Sequence, residues 1–348
     1  MLLNARLTVP LLIVLNGLAS CSQFRLGETP VEASDGTDPP RITVVSGDGS
    51  TTTPASLDVE EEAEHTVHGI EFPGTDLASI LETAIVRMNL PEADYADVSA
   101  TLINLTTGEQ VDFQGGTERY PASTAKLLAA IHWLAETELD EGKAEVVKRT
   151  LAGTDFTDAN TATAEILDAI AGGRDVPCDR RYELLGQIRT RFPASSIVRR
   201  LHPYKNGDDE LVFSTAMDSC DENAPRNFTT TNELAAVMQT LVAGDRFGLS
   251  DDESALLQET LVRNQFDPAQ DDLTKGFFAE HLPEDVTVIS KVGFTESDGF
   301  IEVAAIVYHP DGQFQGNYVL AAASPSGYDQ ALAELSGVVY QGMANFQF

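Results

Sequence analysis

Strand-like segments stand at both ends of the folded part of this chain, with a long and mainly helical stretch between them. Val98–Leu105 alternates apolar and polar residues, Thr106-Thr107-Gly108 reads as a turn, and Gln110–Phe113 returns. Val286–Val292, Phe300–Tyr308 and Tyr318–Ala323 form a second set, with Pro310-Asp311-Gly312 as a turn between the last two. Strands from distant parts of a chain can share one sheet only if the intervening segment leaves the sheet and comes back. The expectation is therefore one antiparallel five-stranded sheet beside an inserted all-α lobe at about 140–265. Terminal helices close the sheet. Leu77, Ile80, Leu81, Ala84, Ile85 and Met88 follow the spacing of one helix face and stop at Pro91, and a closing helix is expected from about Tyr328 to Met343. The fold class is α/β of the α+β kind.

The segment before this domain reads differently. Arg6 is the only charged side chain among the first twenty residues, and a mainly apolar run from Leu7 to Leu18 follows it. The run is short for a membrane span and is interrupted by Pro10 and Asn16, so residues 1–20 are expected to be an export signal. It ends in Leu18-Ala19-Ser20-Cys21, which resembles the lipobox of bacterial lipoproteins, with Cys21 as the acylated residue. Residues 21–70 are rich in Ser, Thr, Pro, Gly and acidic residues, as in Thr51-Thr52-Thr53-Pro54 and Glu60-Glu61-Glu62, and are expected to be an unstructured tether. The folded domain is expected over 71–348. In an exported chain Cys178 and Cys220 are left as either a disulfide, worth about 4 kcal/mol by the loop-entropy argument, or two buried thiols.

Charge excludes one large class of function. The chain carries 55 acidic and 22 basic residues, for a formal net charge of −33, so nucleic acid is not an expected partner. Contact with a membrane is expected only through the lipid anchor, and the protein is expected to be a monomer. Six scattered histidines and three cysteines give no metal-ligand spacing, so no metal and no organic cofactor are expected. The basic residues between Arg174 and Lys205, including Arg180, Arg181, Arg199 and Arg200, suit ion pairs with neighbouring acids, and His132 suits a core position.

Tyr120-Pro121-Ala122-Ser123-Thr124-Ala125-Lys126 carries the chemistry. A serine and a lysine three residues apart at a helix start share one helix face, so the amine can take the hydroxyl proton and make a weak alcohol a nucleophile. The N–H groups left unpaired at the helix start suit a developing oxyanion. Asp158-Ala159-Asn160-Thr161-Ala162 precedes a further helix, Thr229-Thr230-Thr231 begins another, and Lys291-Val292-Gly293 ends a strand.

These segments, in this order, resemble class A β-lactamases and their relatives among the penicillin-binding proteins, over roughly residues 73–348. The resemblance implies a β-lactamase-like fold with its site in the cleft between the sheet and the α lobe. It implies Ser123 as the acylated nucleophile and Lys126 as its base or part of a proton relay. Asn160 would orient the substrate amide and bond Lys126, and Lys291 would attract a substrate carboxylate. The backbone N–H groups of Ser123 and Phe294 would form the oxyanion hole, with Gly293 allowing close approach. Two positions depart from the family pattern. Asp158 stands where a proton-passing serine is expected, with Thr157 the nearest hydroxyl, and Val292 stands where a hydroxyl residue contacts the carboxylate. Glu183, Glu210 and Glu222 are candidates by position for a deacylating acid. The resemblance implies an exported, lipid-anchored serine hydrolase acting on β-lactams or on cell-wall-like amide or ester bonds. The alternative is a non-catalytic lipoprotein of the same fold that binds a peptidoglycan fragment or a protein.

Overall fold

In the computed structural model the two ends of the chain meet in one antiparallel sheet. The structure describes residues 42–45, 51–52, 65–67, 69–152, 156–173, 176–197, 204–205, 211–212, 227–243, 247–263, 277–283, 285–295, 298–307 and 317–345. The strands are β1 Ile42–Val45, β2 Thr51–Thr52, β3 His65–Val67, β4 Ile70–Phe72, β5 Ser99–Asn104 and β6 Gln110–Phe113. They continue with β7 Tyr204–Lys205, β8 Leu211–Val212, β9 Val262–Arg263, β10 Thr287–Thr295, β11 Gly299–Val307 and β12 Tyr318–Ser324. The main sheet runs β2-β1-β6-β5-β12-β11-β10-β9. The five strands expected from sequence are its contiguous centre, β6 to β10. The last strand, β12, inserts between β5 and β11, pairing Ala321 with Thr101 on one side and with Val303 on the other.

The sheet is covered on both faces, and its side chains divide by the two-residue period of a strand. Val288, Val292, Ala304, Ile306, Leu320 and Ala322 join one core with helices α1 (Leu77–Arg87) and α8 (Asp329–Asn345). Ile289, Ile301, Val303, Ala305, Val319 and Ala321 join a second core under the α lobe. Burial on both faces explains why Tyr318–Ser324 reads as an almost unbroken apolar run. The terminal helices cross closely: a Cβ placed on Gly342 would lie 2.7 Å from Cγ1 of Ile80.

The lobe contains α2 (Ala125–Ala135), α3 (Glu141–Ala152), α4 (Phe156–Ile170), α5 (Cys178–Gly186), α6 (Thr231–Ala243) and α7 (Asp251–Leu261). Buried hydrogen bonds fasten it to the sheet. Thr101 Oγ1 on β5 donates to Asn232 Oδ1 at 2.8 Å and lies 3.0 Å from Thr231 Oγ1, at the start of α6. On the other face, Glu302, fully buried on β11, accepts from the backbone N–H groups of Phe277 and Phe278 at 2.8 and 3.2 Å, in the core shared with the terminal helices.

Some elements differ from the sequence reading. β1 pairs with β6 from Ile42↔Phe113 to Val45↔Gln110, and β3 pairs with β4, all within or at the edge of the expected tether. Ile42–Val45 joins the sheet by pairing with β6 on one side and β2 on the other, which sequence periodicity over four residues cannot signal. The helix expected over Arg180–Arg191 closes at Gly186 and continues as a 3-10 turn, Gln187–Thr190. The expected signal 1–20, Cys21, the side chain of Cys178, and Cys220 lie outside the described residues. Among the described residues no helix is long and apolar enough to cross a membrane.

Candidate active site

The cleft between sheet and lobe is built from three backbone segments. The first is the 3-10 turn Ala122–Thr124, which runs directly into α2 and places Ser123 and Lys126 on successive turns. The amide of Thr124 and its hydroxyl both donate to the carbonyl of Pro121, which fixes the turn. Ala122 has φ +42°, a left-handed conformation that costs a non-glycine residue about 1 kcal/mol. That strain sits immediately before Ser123. Ser123 is 8% exposed and Lys126 only 2%.

The second segment is α4. Asn160 is buried, and its Oδ1 accepts a hydrogen bond from Lys126 Nζ at 2.8 Å. The sequence reading put Asn160 before the helix; α4 begins four residues earlier, at Phe156, so Asn160 sits in its second turn. A helical Asn160 is held more rigidly than one in a loop. Thr163 caps that arrangement by donating to the carbonyl of Ala159.

The third segment is β10. Lys291 is buried, and its amine donates to the carbonyl of Val292 at 3.1 Å. Gly293 lies against the nucleophile turn: a Cβ there would fall 2.7 Å from Ser123 N and 2.8 Å from Pro121 O. Only glycine permits this approach, and through it Phe294 follows directly on the strand that touches the Ser123 amide. β9 pairs with β10 only at Val288 and Ile289, so past that point the edge of β10 away from β11 faces the nucleophile turn.

Burial sets the electrostatics. Desolvation pushes the Lys126 ammonium down from its ordinary 10.5 to about 7. A lysine in that range is half neutral at physiological pH and can accept a proton. The structure thus brings Ser123, Lys126, Asn160, Lys291, Gly293 and Phe294 to one cleft.

Asp158 behaves differently from the residue its position suggested. Its carboxylate is held by Arg149 of α3, whose Nε lies 3.1 and 3.0 Å from its two oxygens and whose Nη2 lies 2.5 Å from Oδ1. This pairing holds the Asp158 carboxyl below its ordinary range. Glu165 adds a second acid 3.6 Å from Arg149, so this group is a seam between α3 and α4. The side chain of Thr157 lies outside the described residues. Of the acids considered for deacylation, Glu183 is exposed and paired with Arg180 at 2.5 Å, and Glu210 and Glu222 lie outside the described residues.

Other charged residues serve the lobe. Arg181 is buried and pairs with Asp168 at 2.7 Å, and Arg191 pairs with Glu136 at 2.6 Å; Arg199 and Arg200 lie outside the described residues. His132 is buried on α2, and desolvation followed by the charge of Arg191 lowers its pKa. Sequence reasoning missed Arg149 and Phe300. Arg149 lies in an ordinary charged helix. Phe300 meets Phe294 only because Phe294 and Phe300 are paired in the β10–β11 register.

A sheet built from both chain ends, an inserted helical lobe and a Ser/Lys pair between them define a β-lactamase-like serine-hydrolase fold. Solved structures bear this out. The chain is similar to the reconstructed class A β-lactamase of the last common ancestor of Gram-negative bacteria, at TM-score 0.52 and 20% identity over 76% of this chain and 98% of that one. It is also similar to a β-lactamase from Xanthomonas campestris pv. campestris, at TM-score 0.50 and 15% identity over 75% of this chain and 96% of the other. At such identities the likeness is one of fold. The model of the beta-lactamase enzyme family matches residues 147–343, more than half of the sequence. The chain belongs to the beta-lactamase enzyme family. The matched residues include Asn160 and Lys291 and begin after Ser123 and Lys126. No curated protein sequence matches the chain.

Proposed function

We propose that this protein is an exported serine hydrolase that forms an acyl-enzyme on Ser123 with β-lactams or with cell-wall-like amide or ester bonds. The observation that carries the reading is Lys126, a lysine 2% exposed, hydrogen-bonded to Asn160 and lowered to about 7, one helical turn after a serine. Neutral Lys126 takes the Ser123 proton as Oγ attacks the carbonyl carbon. Asn160 holds the amine in place. The Ser123 and Phe294 backbone N–H groups receive the oxyanion, at the point where Gly293 brings β10 against the nucleophile turn. Lys291 adds positive charge beside the same cleft. Residues 1–20 serve export, Cys21 carries the lipid anchor, residues between it and β1 form a tether, and the protein acts as a monomer on the outer side of a membrane.

One observation favours a second reading, a binding protein of the same fold. Asp158 is engaged by Arg149, so the position expected to pass a proton to the leaving nitrogen belongs to the α3–α4 seam. Intact-mass spectrometry of the full-length protein after incubation with a fluorophosphonate and a panel of β-lactams separates the two. A mass gain absent from Ser123→Ala establishes the nucleophile. Folded protein with no adduct from any probe leaves the binding reading.

A further inference from the structure

The left-handed backbone at Ala122 is held between two fixed ends. Downstream, Ser123 runs into α2, whose residues are almost all buried. Upstream, only Tyr120 and Pro121 separate Ala122 from Arg119, and the proline ring keeps φ at −74°. The backbone of Arg119 is bridged to Thr229: its N–H donates to the Thr229 carbonyl at 2.7 Å, and its carbonyl accepts from the Thr229 N–H at 2.9 Å. Thr229 is itself fixed. It is fully buried, its hydroxyl lies 2.6 Å from that of Ser195, and α6 begins two residues later. The Arg119 side chain reaches the other way, to the entry of β5. Its Nη2 donates to the carbonyls of Ala96 and Val98, each at 3.0 Å, and its Nε donates to the Ser99 hydroxyl at 3.4 Å. Its Nη1 lies 3.5 Å from the exposed carboxylate of Asp97. Arg119 thus ties the entry of β5 to the entry of α6, four residues before the nucleophile.

From this arrangement we infer that Arg119 is a positioning residue for Ser123: it fixes the upstream end of the turn, keeps Ala122 in its left-handed conformation, and so keeps the Ser123 N–H against Gly293. The inference rests on acylation of Ser123 as proposed above. An alanine at φ +42° has a lower-energy conformation at negative φ, so it stays where it is only while both ends of the turn are held. Releasing Arg119 frees one end. Ala122 then relaxes and the Ser123 amide turns away from β10, which it now meets where a Cβ on Gly293 would fall 2.7 Å from it. Lys126 lies downstream on α2 and keeps its burial. Loss of Arg119 therefore slows acylation without moving its pH midpoint, whereas a general loosening of the fold hydrates Lys126 and raises that midpoint.

The test is a double-mutant cycle on the full-length protein: native, Arg119→Ala, Ala122→Gly and the two together. Fluorophosphonate labelling rates are read by intact mass from pH 5 to 10. Arg119→Ala is expected to label about tenfold more slowly or worse, with its midpoint still near 7. Glycine takes a positive φ at no steric cost, so in protein that also carries Ala122→Gly the same Arg119→Ala change should slow labelling by about threefold or less. Arg119→Lys keeps a charge opposite Asp97 but replaces the guanidinium fork by one ammonium. It should show a smaller loss that Ala122→Gly also relieves, and it carries the test if Arg119→Ala does not fold. With the native protein labelled, three results overturn the positioning role and leave the hydrolase reading standing: labelling of Arg119→Ala within about twofold of native, a loss of the same size with and without Ala122→Gly, or a midpoint that rises toward 10.5. No labelling of folded native protein overturns both.

Discussion

The rate of Ser123 acylation should titrate with Lys126, and its midpoint should move when Asn160 is changed. A lysine at its ordinary 10.5 is neutral in about one molecule in 3000 at pH 7; at about 7 it is neutral in about half. Burial alone thus raises the population of the base by about a thousandfold. In the native protein the fluorophosphonate labelling rate should rise about tenfold per pH unit from pH 5, bend near 7 and be flat above about 8. Asn160→Asp places a carboxylate where Oδ1 now sits, 2.8 Å from Nζ. An opposite charge that close favours the ammonium and lifts the midpoint by about one to three pH units. Labelling at pH 7 should then fall about 5- to 500-fold, with the midpoint returning near pH 8 to 10. Stability should follow the same group with a defined sign. The unfolded chain binds the lysine proton below about 10.5 and the folded chain only below about 7. Folding is therefore penalised progressively as pH falls from 10.5 to 7, by about 5 kcal/mol in full, and the penalty is constant below that. Lys126→Met should raise the urea midpoint at pH 6 and raise it less at pH 10, while abolishing the pH dependence of labelling. A native midpoint above pH 9, or a midpoint that Asn160→Asp leaves in place, would refute the assignment of Lys126 as the base.

Three further predictions test the surrounding geometry. Gly293→Ala must push β10 or the nucleophile turn by several tenths of an ångström, because its Cβ meets the Ser123 and Pro121 backbone at 2.7 and 2.8 Å; labelling should fall at least 100-fold with the far-ultraviolet circular dichroism retained. Asp158→Asn removes a partly exposed ion pair with Arg149, so urea denaturation should show a loss of no more than about 1 kcal/mol and labelling a change of a few-fold at most. Gly342→Ala forces a methyl group into Ile80, whose carbons lie 2.7 to 2.9 Å from the new atom; overpacking of about 1–3 kcal/mol should lower the melting temperature by several degrees and leave the midpoint of the labelling profile unaltered.

What the sequence disclosed divides by the range of the forces involved. The central strands and terminal helices were legible because each buries a regular face: Leu77 to Ile85 at helical spacing, and β10 to β12 as apolar runs sealed on both sides. The Ser123-x-x-Lys126 spacing was legible because it is local. The start of α4 was not, since Phe156 and its neighbours carry no cap signal that the sequence reading used, and neither was β1, whose four residues gain their order from pairing with the distant β6 and with β2. The capping box of Ser250 and Glu253 at the start of α7 was a signal in the chain that the sequence reading did not use. The roles of Asp158 and Val292 were the least legible. Sequence position aligns them with a site, whereas their surroundings assign Asp158 to Arg149 and Val292 to the sheet core.

The two cores explain why the cleft can hold groups that disfavour folding. Ser123 follows a residue at φ +42° and precedes a lysine whose burial costs about 5 kcal/mol when charged, and both depend on β10 lying within contact of the nucleophile turn. β10 is fixed by its pairing with β11 along nine residues and by side chains in both cores, Val288 and Val292 on one face and Ile289 on the other. α2 is fixed by an almost wholly buried run from Ala125 to Leu134. Neither element can relax to relieve Ala122 or hydrate Lys126 without opening a core. The reactive lysine is thus a consequence of packing on both sides of the cleft, and a core truncation far from Ser123, such as Ile289→Ala, should raise the midpoint of the labelling profile toward 10.5 as water reaches Lys126. A destabilised Ile289→Ala protein that keeps its midpoint near 7 would show instead that the depression is local to Asn160 and α2.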